Sequence, residues 1–400
     1  MSASDRSQQS LGRRNQREVL AAIAVHRAVS RTEIARRTGL HAASVSRITK
    51  ALIEAGIVRE KSPLETPGKP GRRFVELEID PRGGFVVGIA INALEQSVTL
   101  ADIRNNRVDR VDLKPADLTD HAAVIDALVA TVNDMLARNG VPVTRVFCLS
   151  VAIAGLIEPA TGMVIEAPTL NWRAVPLADL LAWGTGLRVT IEHLPNAINL
   201  AEHRFGATVG CDSVLLMNTA LGIGSSLLLG GQLHRDRAGS GRLTGNLPAA
   251  PVGAGAGRNL DLAAGGRGVL VEMGATVDEV MHLPAAVAGD RLLTVIARAD
   301  HDEDKACEAL AAAGRTMGIF TALAGSVVQP EAYVLSGLLS RVAPYADAWI
   351  AALGEQLGVA QAPARLSTLT TAAAARWLAI SHCLIDSDIA IEGAEVQAAE

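Results

Sequence analysis

The spacing of hydrophobic and polar positions changes near residue 84 and divides the chain into two regions. Between residues 15 and 56, apolar side chains recur every three or four positions, the period of a helix face. From about Gly84 onward, short apolar runs such as FVVGIAI and SVTLADI alternate with helix-period segments. Strands that alternate with helices are typical of an α/β protein. The pattern therefore predicts a small helical head on an α/β body, whose length suits two lobes with a cleft between them.

The head is predicted to contain three helices. The first covers residues 15–29 and has one apolar stripe. The second begins after Ser30, whose hydroxyl can cap it, and ends at a turn that Gly39 permits. The third runs over residues 42–55. This order of helix, helix, glycine turn and helix indicates a helix-turn-helix.

The third helix has an apolar face, which we expect to pack inward, and a face of small, polar and basic residues. Small side chains at its start allow close approach to DNA, and arginine and lysine can reach phosphates or guanine edges. Cations of the second helix and the turn lie beside this face. The predicted DNA-contacting residues here are Arg31, Arg36, Arg37, His41, Ala43, Ser44, Ser46, Arg47 and Lys50.

The segment IVREKSPLETPGKPGRRFVELEID is predicted to form a strand, a loop and a second strand. Its loop carries Lys69, Arg72 and Arg73 among prolines and glycines, as expected for a wing that contacts the DNA backbone or the minor groove. A three-helix packing module with a solvated loop is the alternative. The order of the elements favours a winged helix that binds DNA.

The charge distribution agrees with this interpretation. Residues 1–80 contain 15 Lys/Arg and 9 Asp/Glu, a balance of +6, whereas the other 320 contain 22 and 33, a balance of −11. A basic head on an acidic body suggests a module that binds a polyanion. Chance asymmetry in a short segment is the alternative.

The cysteines and apolar runs bear on the compartment. Cys148, Cys211, Cys307 and Cys383 are scattered without a CxxC pair, so neither a disulfide framework nor a zinc cluster is predicted, and a reducing cytoplasm fits. The N-terminus has no apolar signal-peptide core. The uncharged residues 214–231 are interrupted by polar residues and glycines, which suits buried strands better than a membrane span. We therefore expect a cytoplasmic protein without a membrane partner.

Several segments, in this order, resemble the ROK family of transcriptional regulators. They are RTEIARRTGLHAASVSRITKALIEAG, VAIAGLIEPATGMVIEAPTLNW, IEHLPNAINLAEHRFGA, GIGSSLLLGGQLHR and QPEAYVLSGLLSR. The resemblance covers about residues 15–388. It implies a winged helix over residues 1–82 and a two-lobed, actin-like (ribonuclease H-like) sugar-kinase body. The implied lobes are 83–193, completed by a helix at about 370–390, and 194–369.

The chain departs from the kinases of this family at the phosphate-binding turns. Where they carry an Asp-x-Gly-Gly-Thr turn, this chain has Ala90 at the aspartate and Asn92 and Ala93 at the glycines. A β-carbon at the glycine positions obstructs the approach of phosphate, and no carboxylate remains to help hold Mg²⁺. In the later glycine-rich segment Gly222 and Gly224 remain, but the flanking glycines of the family fall on Ala220 and Ser226. A lone GxG is weak evidence for a phosphate loop, and a tight turn is the favoured interpretation.

The catalytic and zinc positions also differ. The base of the family falls on Leu194, which cannot accept a proton, and the neighbouring His193 is interpreted as a satisfied or partly exposed histidine rather than a base. Leu243 and Asn246 occupy the positions of the zinc-loop Glu and His, and the loop has no cysteine, so neither metal nor cofactor is expected. The polar residues that remain for a ligand are Thr169, His193, Asn246 and Asp261, with solvated loop residues as the alternative.

These features predict a sequence-specific DNA-binding regulator, a repressor by resemblance, that binds a pseudo-palindromic operator as a homodimer or higher homo-oligomer. A sugar or sugar derivative in the cleft would control it. Two alternatives remain open at this point. One is a constitutive DNA-binding or scaffold protein without a ligand, and the other is an ATP-dependent sugar kinase with a DNA-binding head.

Overall fold

The head is a winged helix in the computed structural model, which describes residues 3–26, 28–61, 75–114, 117–235, 244–249, 258–361 and 363–385. Ser30 Oγ accepts a hydrogen bond from the Glu33 amide at 3.2 Å and starts α2, and Gly39 (φ 69°) ends it. The three strands form an antiparallel sheet in the order β1-β3-β2. The head elements are α1 (Ala3–His26), β1 (Val29–Ser30), α2 (Arg31–Thr38), α3 (Ala42–Glu54), β2 (Val58–Glu60) and β3 (Glu76–Ile79).

The first lobe is built on a five-stranded sheet of order β11-β7-β4-β5-β6, in which β4 pairs antiparallel with β5 and parallel with β7. A small three-stranded sheet, β10-β9-β8, lies beside it. The elements are β4 (Phe85–Ile91), β5 (Gln96–Asp102), β6 (Arg107–Asp112), α4 (His121–Arg138), β7 (Val146–Ile153), β8 (Leu156–Glu158), β9 (Met163–Ala167), β10 (Trp172–Val175), α5 (Leu177–Thr185) and β11 (Val189–His193).

The second lobe is also built on a five-stranded sheet, of order β14-β13-β12-β15-β16, which is flanked by helices. Its elements are α6 (Leu194–Phe205), β12 (Val214–Thr219), β13 (Ile223–Leu229), β14 (Gln232–Leu233), α7 (Leu260–Ala264), α8 (Gly266–Glu272), α9 (Val277–His282), α10 (Ala285–Asp300), α11 (Asp304–Gly325), β15 (Ala332–Ser336), α12 (Ala343–Leu357) and β16 (Ala364–Leu366). The chain then forms α13 (Thr371–Ala379) and a π-helical segment, Ile380–Ile385.

The last helix returns to the first lobe. α13 packs on β4 and β7, and a β-carbon placed on Gly88 of β4 would lie 2.7 Å from the Arg376 backbone nitrogen. Glycine at this position therefore lets the helix backbone lie directly on the strand. The lobe boundaries that the family resemblance implies, residues 83–193 and 194–369, remain a prediction.

Most predicted elements of head and body are confirmed, including the strands β4 and β5, the buried strands within residues 214–231 and the α/β architecture. The small sheet β8–β10 and the edge strand β6 were not predicted. β6 is short and polar and mostly not buried, so it lacks the apolar alternation that marks a strand.

The prediction of no disulfide framework needs one correction, because two of the four cysteines are paired. Cys148 on β7 and Cys383 in the π-helical segment form a disulfide with a Cα–Cα distance of 6.1 Å, although 235 residues separate them. The return of the chain to the first lobe brings the two thiols together. Cys211 and Cys307 are free.

No helix among the described residues is long and apolar enough to cross a bilayer. The uncharged residues 214–231 form the hairpin β12–β13, and most of the side chains on these two strands are buried or half-buried.

Candidate functional site

The first candidate site is the exposed face of α3. The helix packs against α2 and buries Val45, Ile48 and Leu52, as its pattern predicts. Thr49 is also buried, Ser44 and Ile53 are half-buried, and the remaining side chains of the helix face solvent. The predicted contact residues that are exposed here are His41, Ala43, Ser46, Arg47 and Lys50. Residues of this size and charge at the start of a recognition helix can approach base edges and phosphates.

The three arginines of α2 each have a hydrogen-bond partner within the head. Arg36 and Arg37 each donate to Glu33 Oε1 at 2.6 Å, and these hydrogen bonds lower the pKa of Glu33 to about 2. Arg31 donates to Thr49 Oγ1 at 3.2 Å and to Glu60 Oε1 at 2.9 Å. The bonds of Arg31 fasten α2 to α3 and β2, whereas those of Arg36 and Arg37 stay within α2. The charges of Arg31, Arg36 and Arg37 are thus partly compensated.

The base of the wing follows the predicted order. β2 and β3 pair antiparallel, with Glu60 opposite Leu77, and Lys61 Nζ lies 3.4 Å from Glu76 Oε2 where the strands diverge. The tip that was predicted to contact DNA, with Lys69, Arg72 and Arg73, lies outside the described residues.

The second candidate site is a cavity of about 390 Å³ between the lobes. Its polar lining comes from separate parts of the chain: the turn after β9, the end of β11, the turn 244–246 and the start of α7. Groups of this kind can donate to and accept from ligand hydroxyls. The structure brings together all four residues that were predicted to bind a ligand, namely Thr169, His193, Asn246 and Asp261.

His193 ends β11 and immediately precedes α6. It is only 4% exposed, and burial lowers its pKa to about 4. Its Nδ1 atom is buried without a hydrogen-bond partner in the described structure. The interpretation as a satisfied or partly exposed histidine is therefore wrong, because packing at the start of α6 encloses the ring without supplying a hydrogen-bond partner for Nδ1. A neutral imidazole can donate from one nitrogen and accept at the other.

Glu192 positions this histidine. Its buried carboxylate accepts from the His193 amide and from Asn196 Nδ2, both at 2.9 Å, and from Arg235 Nη1 at 3.1 Å. The arginine compensates the buried charge, which would otherwise be costly. Sequence reasoning missed this pair because Arg235 is 43 positions away and no local pattern relates the two residues.

Asp261 lies under the glycine-rich turn between β12 and β13. Its Oδ1 atom accepts from the Ile223 amide at 2.7 Å, and burial raises its pKa to about 6. A β-carbon on Gly245 would lie 1.8 Å from this oxygen. The carboxyl group thus uses an amide of the turn that could otherwise face a phosphate, and when ionised it repels one.

The turn after β4 also uses its own amides. Asn92 Oδ1 accepts from the amides of Leu94 and Glu95 at 2.8 and 3.0 Å. Leu94 reaches across the cleft to the second lobe, where a β-carbon on Gly289 would meet its Cδ2 atom at 2.3 Å. The turn is therefore closed on itself and packed against the opposite lobe.

Leu194 lies beside His193 in the lining of the cleft and is 4% exposed. Its side chain cannot accept a proton from a bound hydroxyl. Among the described residues, no three His, Cys, Asp or Glu side chains are grouped as metal ligands. Leu243, one of the two residues assigned to the former zinc loop, lies outside the described residues.

Other residues of the cleft were missed from the sequence. Most of them come from the C-terminal third of the chain, and only the tertiary fold brings them to the cavity. Polar side chains next to apolar runs would have been the only signal. The missed residues include Asn218, Leu338, Arg341, Thr370 and Thr371.

Sequence comparisons match both the head and the body of the chain to known protein families. The profile of the ROK family matches residues 86–376, and that of the MarR family matches residues 11–65. The chain is 27% identical over 331 residues to a transcriptional regulator of Mycobacterium tuberculosis, which covers 80% of this chain and 73% of that protein. It is 24% identical over 225 residues to the N-acetylglucosamine repressor of Escherichia coli O157:H7, which covers 56% of this chain and 55% of the repressor. The chain thus spans about half the length of some curated relatives that it matches.

Structural comparison agrees with this result at the level of the fold. The fold is similar to the crystal structure of a ROK family transcriptional regulator described as a homologue of the E. coli Mlc protein. The TM-score is 0.73 at 18% identity, with 96% of this chain and 99% of that chain covered. At this identity the likeness shows the fold alone, and the profile match shows the family. With its winged-helix head and two-lobed α/β body, the chain belongs to the ROK family.

Proposed function

We propose that the protein is a sequence-specific DNA-binding transcriptional regulator that acts as a repressor. The observation that carries the proposal is the winged helix, whose third helix buries an apolar face and exposes Ala43, Ser46, Arg47 and Lys50. Arg47 and Lys50 would contact bases and phosphates, and the wing residues Lys69, Arg72 and Arg73 would contact the backbone. Relatives named as a transcriptional regulator and as a repressor support this function.

The cleft is proposed to bind a sugar or sugar-derived effector. Thr169, His193, Asn246 and Asp261 would hydrogen-bond its hydroxyl groups, with His193 neutral at physiological pH. One relative is named as an N-acetylglucosamine repressor, which supports an effector of this class. A ligand that prefers one arrangement of the lobes would change DNA affinity through that preference.

The assembly is proposed to be a homodimer or a higher homo-oligomer that works in the cytoplasm. A two-fold dimer presents two heads at a fixed separation, so the operator would be a pseudo-palindrome with a matching half-site spacing.

The protein is further proposed not to be an enzyme. Leu194 occupies the position of the base, Asn92 closes the first phosphate turn on itself, and Asp261 uses an amide of the second. Phosphoryl transfer needs a positioned base and free donors for the phosphates. The described residues supply neither at these positions.

DNA selection tests the proposed function. Purified protein is mixed with random duplexes and genomic fragments at near-physiological salt, and retained DNA is sequenced. We expect an enriched two-fold motif for the parent. Arg47→Ala should lose about 1–3 kcal/mol of discrimination at the base pairs it contacts. Arg173→Ala is the matched control, because Arg173 is an exposed arginine of the body.

If DNA retention only decreases with salt and no motif is enriched, the proposed function is contradicted, since this behaviour indicates non-specific electrostatic binding.

A melting-temperature screen with a panel of hexoses and amino sugars tests the effector. A ligand of the native state must raise the melting temperature, so a panel without any shift would favour a constitutive DNA-binding protein.

A further inference from the structure

α13 connects the cleft with the head. At its start, Thr370 caps the helix by accepting from the Ala373 amide at 3.2 Å, and Leu369, Thr370 and Thr371 line the cavity. At its end it continues without a break into Ile380–Ile385. Fifteen helical residues span roughly 20 Å, so one rigid element reaches from the ligand cavity to the base of the head.

The head rests on the end of this element. Ile380, Leu384 and Ile385 are at most 3% exposed and share one apolar cluster with α1. The residues of α1 in this cluster are Val19, Leu20 and Ile23. The disulfide to Cys148 fastens the same segment to the sheet of the first lobe. Since α1 packs on this segment, a turn or shift of its residues about the anchored Cys383 would be transmitted to α1.

A second helix runs from the same cavity. α6 begins with Leu194 and Pro195, which line the cleft, and ends at Phe205. The ring of Phe205 stacks on Trp377 of α13, with centroids 3.8 Å apart and planes inclined by 16°. Trp377 lies three residues before Ile380, where the segment under the head begins.

The two helices rest on different lobes. The backbone of α13 lies on Gly88 of the first lobe, whereas Pro195 of α6 lies against Gly224 of the second lobe, where a β-carbon would meet its Cγ atom at 2.7 Å. A change in the angle between the lobes must therefore shift α6 along α13. Packed helices respond to such shifts by moving between discrete arrangements rather than by deforming continuously.

We propose that α6 and α13 form a relay from the cleft to the head, with the Phe205–Trp377 stack as the coupling contact. A ligand that changes the lobe angle displaces the starts of both helices, and the stack transfers the displacement to Ile380–Ile385 and to α1. The inference rests on the proposed function only in its use of DNA affinity, because the movement of the segment under the head can be measured without DNA.

The test is a double-mutant cycle without an effector. Gly224→Ala places a methyl group against Pro195 and displaces α6 from the second lobe, and Phe205→Leu removes the stack. In the parent background, Gly224→Ala should increase amide hydrogen exchange of Ile380–Ile385 and of α1 by about fivefold or more, the lower end of allosteric couplings. In the Phe205→Leu background the same substitution should change exchange by less than about twofold.

Gly354→Ala is the matched control, because Gly354 lies in the same lobe on α12, which packs on α11. Pro195→Ala, which removes the contact on Gly224 instead of crowding it, replaces Gly224→Ala if that variant does not fold. An equal change in both backgrounds, or no change of exchange under the head in either, would overturn the relay.

DNA affinity for the selected motif is measured on the same four proteins. A change with Gly224→Ala that disappears with Phe205→Leu supports the relay acting on DNA binding. If the parent selects no motif, the proposed function fails, while the exchange measurements still decide whether the relay exists.

Discussion

At the scale of single residues, the cleft contains two titratable side chains whose shifted pKa values affect stability in opposite directions. Burial raises the pKa of Asp261 to about 6 and lowers that of His193 to about 4. In both cases burial disfavours the charged form. The folded protein therefore holds a proton on Asp261, and lacks one on His193, at pH values where the unfolded chain does the opposite.

The Asp261→Asn variant isolates the first effect. The folded-state pKa of Asp261 is raised, so the native state binds more protons between about pH 4 and pH 6, and stability falls as pH rises through this window. Relative to the variant, the parent should lose about 3 kcal/mol between pH 4 and pH 7, since two pKa units correspond to that amount. Urea unfolding of both proteins at four pH values measures the difference, and a difference independent of pH would contradict the shift.

His193→Gln should show the opposite sign. The folded-state pKa of His193 is lowered, so the unfolded chain binds the extra proton between about pH 6.5 and pH 4. Relative to this variant, the parent should lose stability as pH falls through that window. The same unfolding series tests it, and a parent that tracks the variant down to pH 4 would show that His193 is not desolvated.

At the scale of elements, the first lobe and the end of the chain are joined covalently. The disulfide connects β7 with the π-helical segment and closes a loop of 235 residues. Disulfides in proteins of reducing compartments are usually transient or redox-sensing, so the state of this pair bears on the cytoplasmic assignment.

Thiol titration measures that state. Protein denatured without reductant should expose two thiols, those of Cys211 and Cys307, and four after reduction. Cys383→Ser should expose three in either condition, because Cys148 is then unpaired. Four thiols in the unreduced parent would show that the pair is reduced in the isolated protein.

At the scale of the whole molecule, a winged-helix head is joined to a body of the ROK family. Phosphoryl transfer would need three elements together: the turn after β4 and the glycine-rich turn to bind the phosphates, and the start of α6 to supply the base. In this chain Asn92 closes the first turn, Asp261 occupies an amide of the second, and Leu194 begins α6. Restoring one of them should not restore activity.

ATP-dependent phosphorylation of a hexose panel should therefore remain at the background rate for the parent and for Leu194→Asp. A coupled assay measures ADP release, and an active hexokinase added to the same mixture shows that turnover is detected. Activity in Leu194→Asp above the parent would mean that the phosphate turns still function, and the proposal that the protein is not an enzyme would then fail.

Much of the fold was predictable from the sequence because its determinants are local. Ser30 and Gly39 mark the ends of α2 by capping and by a positive φ, and the 3.6-residue period of α3 separates its buried from its exposed face. The strands β4 and β7 are apolar runs of typical strand length. The four cleft residues were predicted from the family resemblance, because the hydrophobic periodicity of the sequence does not indicate them.

The sequence by itself determined the elements, their order and the face of α3 that is exposed, since caps, turns and hydrophobic periods act over a few residues. Only the tertiary structure decided which distant groups meet: Glu192 with Arg235, Cys148 with Cys383, and Phe205 with Trp377. It also decided that His193 is enclosed without a partner for Nδ1. Such contacts depend on how sheets and helices pack across long separations in the chain, and no local period encodes that packing.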